Sequence, residues 1–90
     1  MWFFSKKEKE RKPDGEVAHY FGKIGVAVVS LKKGMRMGDK VEFRGATTNF
    51  SQTVSSMQYN HENIESAGKN DEIGMKVKKK VRVGDKIFIS

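Results

Sequence analysis

The sequence predicts an all-β fold: a single six-stranded antiparallel closed barrel over residues 14–90, preceded by a flexible tail at residues 1–13. Three observations carry that expectation. First, one stretch occurs twice, forty-six residues apart: KKGMRMGDKVEF at residues 32–43 and KKKVRVGDKIFI at residues 78–89. Second, apolar residues recur at alternate positions through short segments separated by glycine-rich turns, which is the pattern of strands with one buried face. Third, no segment carries the period of an amphipathic helix.

The repeat identifies a loop that leads into a strand. Lys32/Lys78, Lys33/Lys79, Arg36/Arg82, Gly38/Gly84, Asp39/Asp85 and Lys40/Lys86 are identical between the copies, and Met35/Val81, Met37/Val83 and Val41/Ile87 are alike in character. A glycine followed by Asp suits a tight turn, because Asp hydrogen-bonds nearby backbone N–H groups. Beyond each turn, Val41 and Phe43, then Ile87 and Ile89, fall on one face of a strand.

The remaining elements follow in order. Pro13-Asp14-Gly15 is a turn signal that opens the domain. Residues 16–21 read as the first strand, with Val17, His19 and Phe21 on one face. Gly22-Lys23 turns the chain into residues 24–31, a strand apolar on both faces and suited to the middle of a barrel. The first repeat copy yields a strand at about residues 39–45. Residues 50–59 form the fourth strand. Phe50 and Val54 share one parity and Met57 and Tyr59 the other, so a β-bulge near Ser55-Ser56 is required to bend it. Residues 60–70 are a polar excursion with Ile64 tucked inward. Residues 71–78 form the fifth strand, with Ile73, Met75 and Val77 facing in, and residues 85–89 form the last.

Ninety residues make one domain. Without cysteine there is no disulfide and no thiolate metal site, which fits a reducing, cytoplasmic setting. No run approaches the length of a membrane span, and Met1 to Phe4 is too short for the core of a signal peptide. The net charge is +7, and residues 1–13 hold five Lys/Arg against two Glu. That balance favours polyanionic partners. The same tail holds Trp2, Phe3 and Phe4, an apolar cluster with nothing local to bury it and a candidate contact for a protein partner, without stable membrane insertion.

The order FGKIGVAVVSLKKGMRMGDKVEFRG, TVSSMQYNHENIESAGKNDEIGMKVK, VRVGDKIFIS resembles the second domain of translational GTPases, elongation factor Tu above all. It is also similar to the C-terminal barrel of collagenase-like peptidases and to small stand-alone elongation-factor-like proteins. The resemblance covers about residues 15–90 and rests on Gly34 through Gly38-Asp39 to Val41, Val54 to Met57, Glu62 to Glu65, and Ala67-Gly68 to Gly74. It implies the barrel fold of translation-factor domain 2. The chain has no G-x-x-x-x-G-K-[ST] phosphate loop, so no nucleotide is expected. Glu16 stands at an acidic position used in aminoacyl recognition, whereas Ala18 stands where an aromatic belongs. What the resemblance implies is use of the barrel surface on RNA or the ribosome.

The residues themselves offer little catalytic chemistry. His19 sits mid-strand and His61 beside Glu62 and Asn63 in a loop, neither with convergent ligands, so no metal, cofactor or enzymatic activity is expected. The candidate binding residues are basic: Lys32, Lys33 and Arg36 in the first repeat copy, and Lys76, Lys78, Lys79, Lys80 and Arg82 around the second. Tyr59, and Tyr20 if exposed, would stack on unpaired bases. The leading expectation is therefore a non-enzymatic module that binds RNA or the ribosome. The alternative is a protein-interaction adaptor, acting as a separately encoded accessory barrel of a larger enzyme.

Overall fold

The computed structural model describes residues 12–90; the Trp2-Phe3-Phe4 cluster and most of the expected tail lie outside them. Ten strands follow in chain order: β1 Gly15–Phe21, β2 Val26–Leu31, β3 Met35–Arg36, β4 Lys40–Arg44, β5 Asn49–Thr53, β6 Met57–Tyr59, β7 Glu62–Asn63, β8 Ser66–Ala67, β9 Glu72–Lys76 and β10 Lys86–Ile89. Eight of them form one antiparallel sheet in the order β5-β4-β10-β1-β2-β9-β6-β7, and β3 and β8 form a separate two-stranded ribbon.

The all-β expectation holds, but the closed six-stranded barrel is corrected: the sheet has eight strands and rolls into an open half-barrel whose hydrogen-bond ladder ends at β5 and β7. The reason lies in residues 50–59. They do not form one strand. β5 pairs with β4 through Phe43↔Phe50, while β6 pairs with β9 through Met57↔Met75, and Val54–Ser56 between them joins neither ladder as a strand. The interruption falls at the Ser55-Ser56 position where the parity change demanded a bend.

The inward faces of β4, β9 and β10 are those the alternation predicts. Ala27, Val29 and Leu31 of β2, Val41 and Phe43 of β4, Ile73 and Met75 of β9, and Ile87 and Ile89 of β10 meet in one core, with Phe43 and Phe50 stacked at 4.9 Å. Ile64 and Val77 pack against that core from half-buried positions. β1 departs from the expectation. Its register against β2 shifts between Val17 and His19, so Val17 is buried while His19 and Phe21 are exposed. A bulge resets the two-residue alternation, which parity alone cannot anticipate. β2 is not buried on both faces either: Val26, Val28 and Ser30 lie half-buried on its outer side.

Both repeat copies build the same turn. Asp39 Oδ2 accepts from the Arg36 N–H at 2.9 Å, and Asp85 Oδ2 accepts from the Arg82 N–H at 2.8 Å. Gly38 and Gly84 have φ of 91° and 94°, where a side chain is strained. Each turn then docks on a distant backbone segment in the same manner. The Gly38 N–H donates to the Val54 carbonyl and the Val54 N–H to that of Asp39; the Gly84 N–H donates to the Val17 carbonyl and the Val17 N–H to that of Asp85. At the entry to the domain, the Asp14 carboxylate accepts from the Ile89 N–H at 2.7 Å and fixes the start of β1 beside β10.

Candidate functional site

The basic residues singled out from sequence are all exposed, and the fold disperses most of them. Lys32 and Lys33 follow β2 in an open turn. Arg36 lies on the β3 ribbon, beside a cavity of about 400 Å³ that it shares with Met37, Glu65 and Ser66. Lys79, Lys80 and Arg82 occupy the loop between β9 and β10. Tyr59 is 54% exposed at the end of β6, where Asn60 and His61 make a two-residue hairpin with φ of 56° and 67°. Such a hairpin explains His61 as a turn residue. His19 stacks edgewise on Phe21 at 4.3 Å between ring centres. Tyr20 is half-buried against the core.

Two of the predicted residues do meet. Lys76 and Lys78 line a cleft of about 600 Å³ together with Lys40, Ser51, Gln52, Thr53, Ser55 and Val77. The cleft is the gap in the half-barrel, between the edge of β5 and the end of β9. Gln52 spans it: its Nε2 donates to the Lys76 carbonyl at 2.8 Å, and its Oε1 accepts from the Lys78 N–H at 2.8 Å. One amide side chain thus replaces a missing rung of the ladder. Three lysines and three hydroxyl-bearing residues line the cleft, and no acidic residue does. Lys40 was not singled out from sequence. Its repeat partner Lys86 is paired with Glu16 at 3.0 Å, so the two copies give identical lysines different surroundings. Nothing in the local sequence marks that difference, because Gln52 lies 24 residues from Lys76 and 26 from Lys78.

A second surface was also illegible from the strand pattern. Phe21 and Ile24, at 47% and 63% exposure, adjoin Val26 and Val28 on the outer side of β2. With Gly74 opposite and Gln58, Asn60, His61 and Glu72 at the rim, they line an open cavity of about 400 Å³. The β1 bulge places Phe21 outside, which is why this apolar shelf exists at all.

Among the described residues, no group of three or more His, Cys, Asp or Glu is placed to hold a metal ion. No helix among them is long and apolar enough to cross a membrane.

No family model matches the chain. The chain is 34% identical over 76 residues to an uncharacterized protease of Methanocaldococcus jannaschii, a match that covers 83% of this chain and 19% of the relative. It is likewise 34% identical over 76 residues to a collagenase of Porphyromonas gingivalis, with 82% of this chain and 21% of the relative covered. The chain therefore spans about a fifth of the length of the curated relatives it matches. Among solved structures, it is similar to the C-terminal domain of a Geobacillus thermoleovorans protein assigned as a U32 peptidase. One crystal structure of that domain gives a TM-score of 0.81 at 26% identity, covering 87% of this chain and 99% of that one. Another gives 0.82 at 25% identity, covering 89% and 93%.

These findings bear out the similarity to the C-terminal domain of collagenase-like peptidases. Identity with translation-factor domain 2 does not follow from them. They overturn the leading functional expectation, a translation-factor-like module binding RNA or the ribosome, because the relatives and the structural neighbours are peptidase and collagenase domains.

Proposed function

We propose that this chain is a non-catalytic, protein-binding accessory module of a peptidase of the U32 or collagenase type. The observation that carries the reading is one of coverage: the fold matches 99% of a solved peptidase C-terminal domain, yet spans only about a fifth of the curated relatives. The catalytic work of such a protein then belongs to the other four fifths. The exposed shelf of Phe21, Ile24, Val26 and Val28 supports the same reading, since contiguous apolar surface is suited to burial against another protein.

A domain exchange tests this. The matched 76-residue segment of the Porphyromonas gingivalis collagenase is deleted, or replaced by this chain, and hydrolysis of gelatin is followed. The expected result is that the deletion loses most activity, the replacement recovers it, and the chain alone hydrolyses nothing. Hydrolysis by the chain alone, or a replacement no better than the deletion, overturns the proposal.

A further inference from the structure

The cleft at the open edge of the half-barrel has the chemistry of a peptide site. Along β5 the hydrogen bonds to β4 recur at every second residue. They are anchored at one end by the mutual bonds of Gly45 and Thr48 and at the other by the Val54 N–H on Asp39. By that alternation the backbone groups of Phe50 and Gln52 face β4, and those of Ser51 and Thr53 face out of the sheet into the cleft. A sheet edge with outward peptide groups is a template for one more strand. Natural edges are commonly guarded by lysine, but here three lysines from two separate strands and a loop surround the same opening, with no carboxylate among the lining residues. Gln52 already occupies the end of β9, which leaves β5 as the side that offers partners.

We propose that this cleft binds an extended acidic segment of a partner protein. The segment runs along β5, exchanges backbone hydrogen bonds with Ser51 and Thr53, and places its carboxylates on the ammonium groups of Lys40, Lys76 and Lys78. Charge complementarity selects an acidic occupant. The absence of any aromatic side chain from the cleft lining argues against single-stranded nucleic acid, whose affinity draws on stacking. The hydroxyls of Ser51, Thr53 and Ser55 add donors for carboxylate oxygens along the same edge. The site is separate from the apolar shelf and does not depend on the peptidase reading, because the segment is recognised by this chain alone.

The test uses the whole 90-residue chain and a labelled heptapeptide of alternating Glu and Val, with titration followed by anisotropy and by amide chemical shifts. Binding is expected, with the largest shifts at Ser51, Thr53 and Lys78, and about tenfold weakening as salt rises from about 0.05 M to about 0.5 M. Lys40→Glu/Lys76→Glu/Lys78→Glu is expected to abolish it, whereas Lys23→Glu/Lys32→Glu/Lys33→Glu, an equal change of charge elsewhere, leaves it within about threefold. N-methylation of alternate peptide amides leaves the protein untouched and is expected to cost about tenfold in one of the two registers. Equal loss in both triple variants would reduce the binding to net charge and overturn the proposal. So would indifference to N-methylation in both registers, no binding at low salt, or tighter binding of a generic oligonucleotide at the same residues. None of these outcomes bears on the domain exchange, which reads enzyme activity.

Discussion

The Arg36–Asp39 and Arg82–Asp85 turns share their arginine, glycine and aspartate, a nearly equal glycine φ and the same hydrogen bonds, yet they do different work. In both, the aspartate closes the turn and the glycine N–H reaches the carbonyl of a distant valine. Around the first turn the fold is open. Asp39 is half-buried, and the segment it docks on, at Val54, is the interruption between β5 and β6 next to the lysine cleft. Around the second turn the fold is continuous. Asp85 is 5% exposed, and its turn docks on β1 at Val17, the residue before the bulge. Oδ1 of Asp85 also lies so close to Gly45 that a methyl group there would collide with it. A repeat in sequence thus fixes local geometry twice, while the tertiary neighbours decide which copy is a structural lock and which borders an open edge.

The largest expected difference comes from removing each carboxylate. Asp85→Ala strands the Arg82 N–H and empties a buried site, so it is expected to cost about 2–3 kcal/mol. Asp39→Ala removes the matching bond where water has access, at about 1 kcal/mol or less. Urea denaturation of the two variants under one set of conditions makes the comparison. Equal losses would mean that burial does not separate the copies.

That asymmetry marks how far the sequence could be read. The turns themselves were legible, since Gly-Asp after an apolar–Arg–apolar run specifies a local hydrogen bond three residues back. So were the inward faces of β4, β9 and β10, which follow strict alternation, whereas β2, apolar on both faces in sequence, buries only one. Illegible were the features that depend on distant pairing. The bulge after Val17 exposes His19 and Phe21, the split of residues 50–59 sends β5 and β6 to different partners, and Gln52 bridges to Lys76 and Lys78. The polar stretch 60–70, read as a loop, holds β7 and β8, strands of two residues each that exist only through their partners β6 and β3. Of the basic candidates only Lys76 and Lys78 share a site, and the residue that completes it, Lys40, is identical to a lysine that the other copy pairs with Glu16.

A double-mutant cycle sharpens the claim that Asp85 is locked from both sides. Gly45→Ala forces the Asp85 carboxylate to move and weakens its hold on the Arg82 N–H, at an expected cost of about 1–2 kcal/mol. In an Asp85→Ala background the added methyl meets no carboxylate, and the cost is expected to fall to about 0.5 kcal/mol or less, a coupling of about 1 kcal/mol between neighbours in contact. The same Gly45→Ala change is expected to be additive with Asp39→Ala, whose carboxylate does not approach Gly45. Additivity in both backgrounds would remove Gly45 from the account of the second turn.

The smallest expected difference lies in the glycines. Gly38 and Gly84 have nearly the same positive φ, and a Cβ at either position meets nothing within 4 Å. Only the backbone conformation opposes a side chain there, so Gly38→Ala and Gly84→Ala are each expected to cost about 1 kcal/mol, with the two values alike. This near-equality is as informative as the inequality of the aspartates. It assigns conformational strain to the turn, which the repeat copies faithfully, and burial to the surroundings, which it does not. If Gly84→Ala proved much the costlier of the two, the buried copy would be tightening the backbone of its turn as well as covering its carboxylate, and the separation of local from tertiary causes would fail at that point.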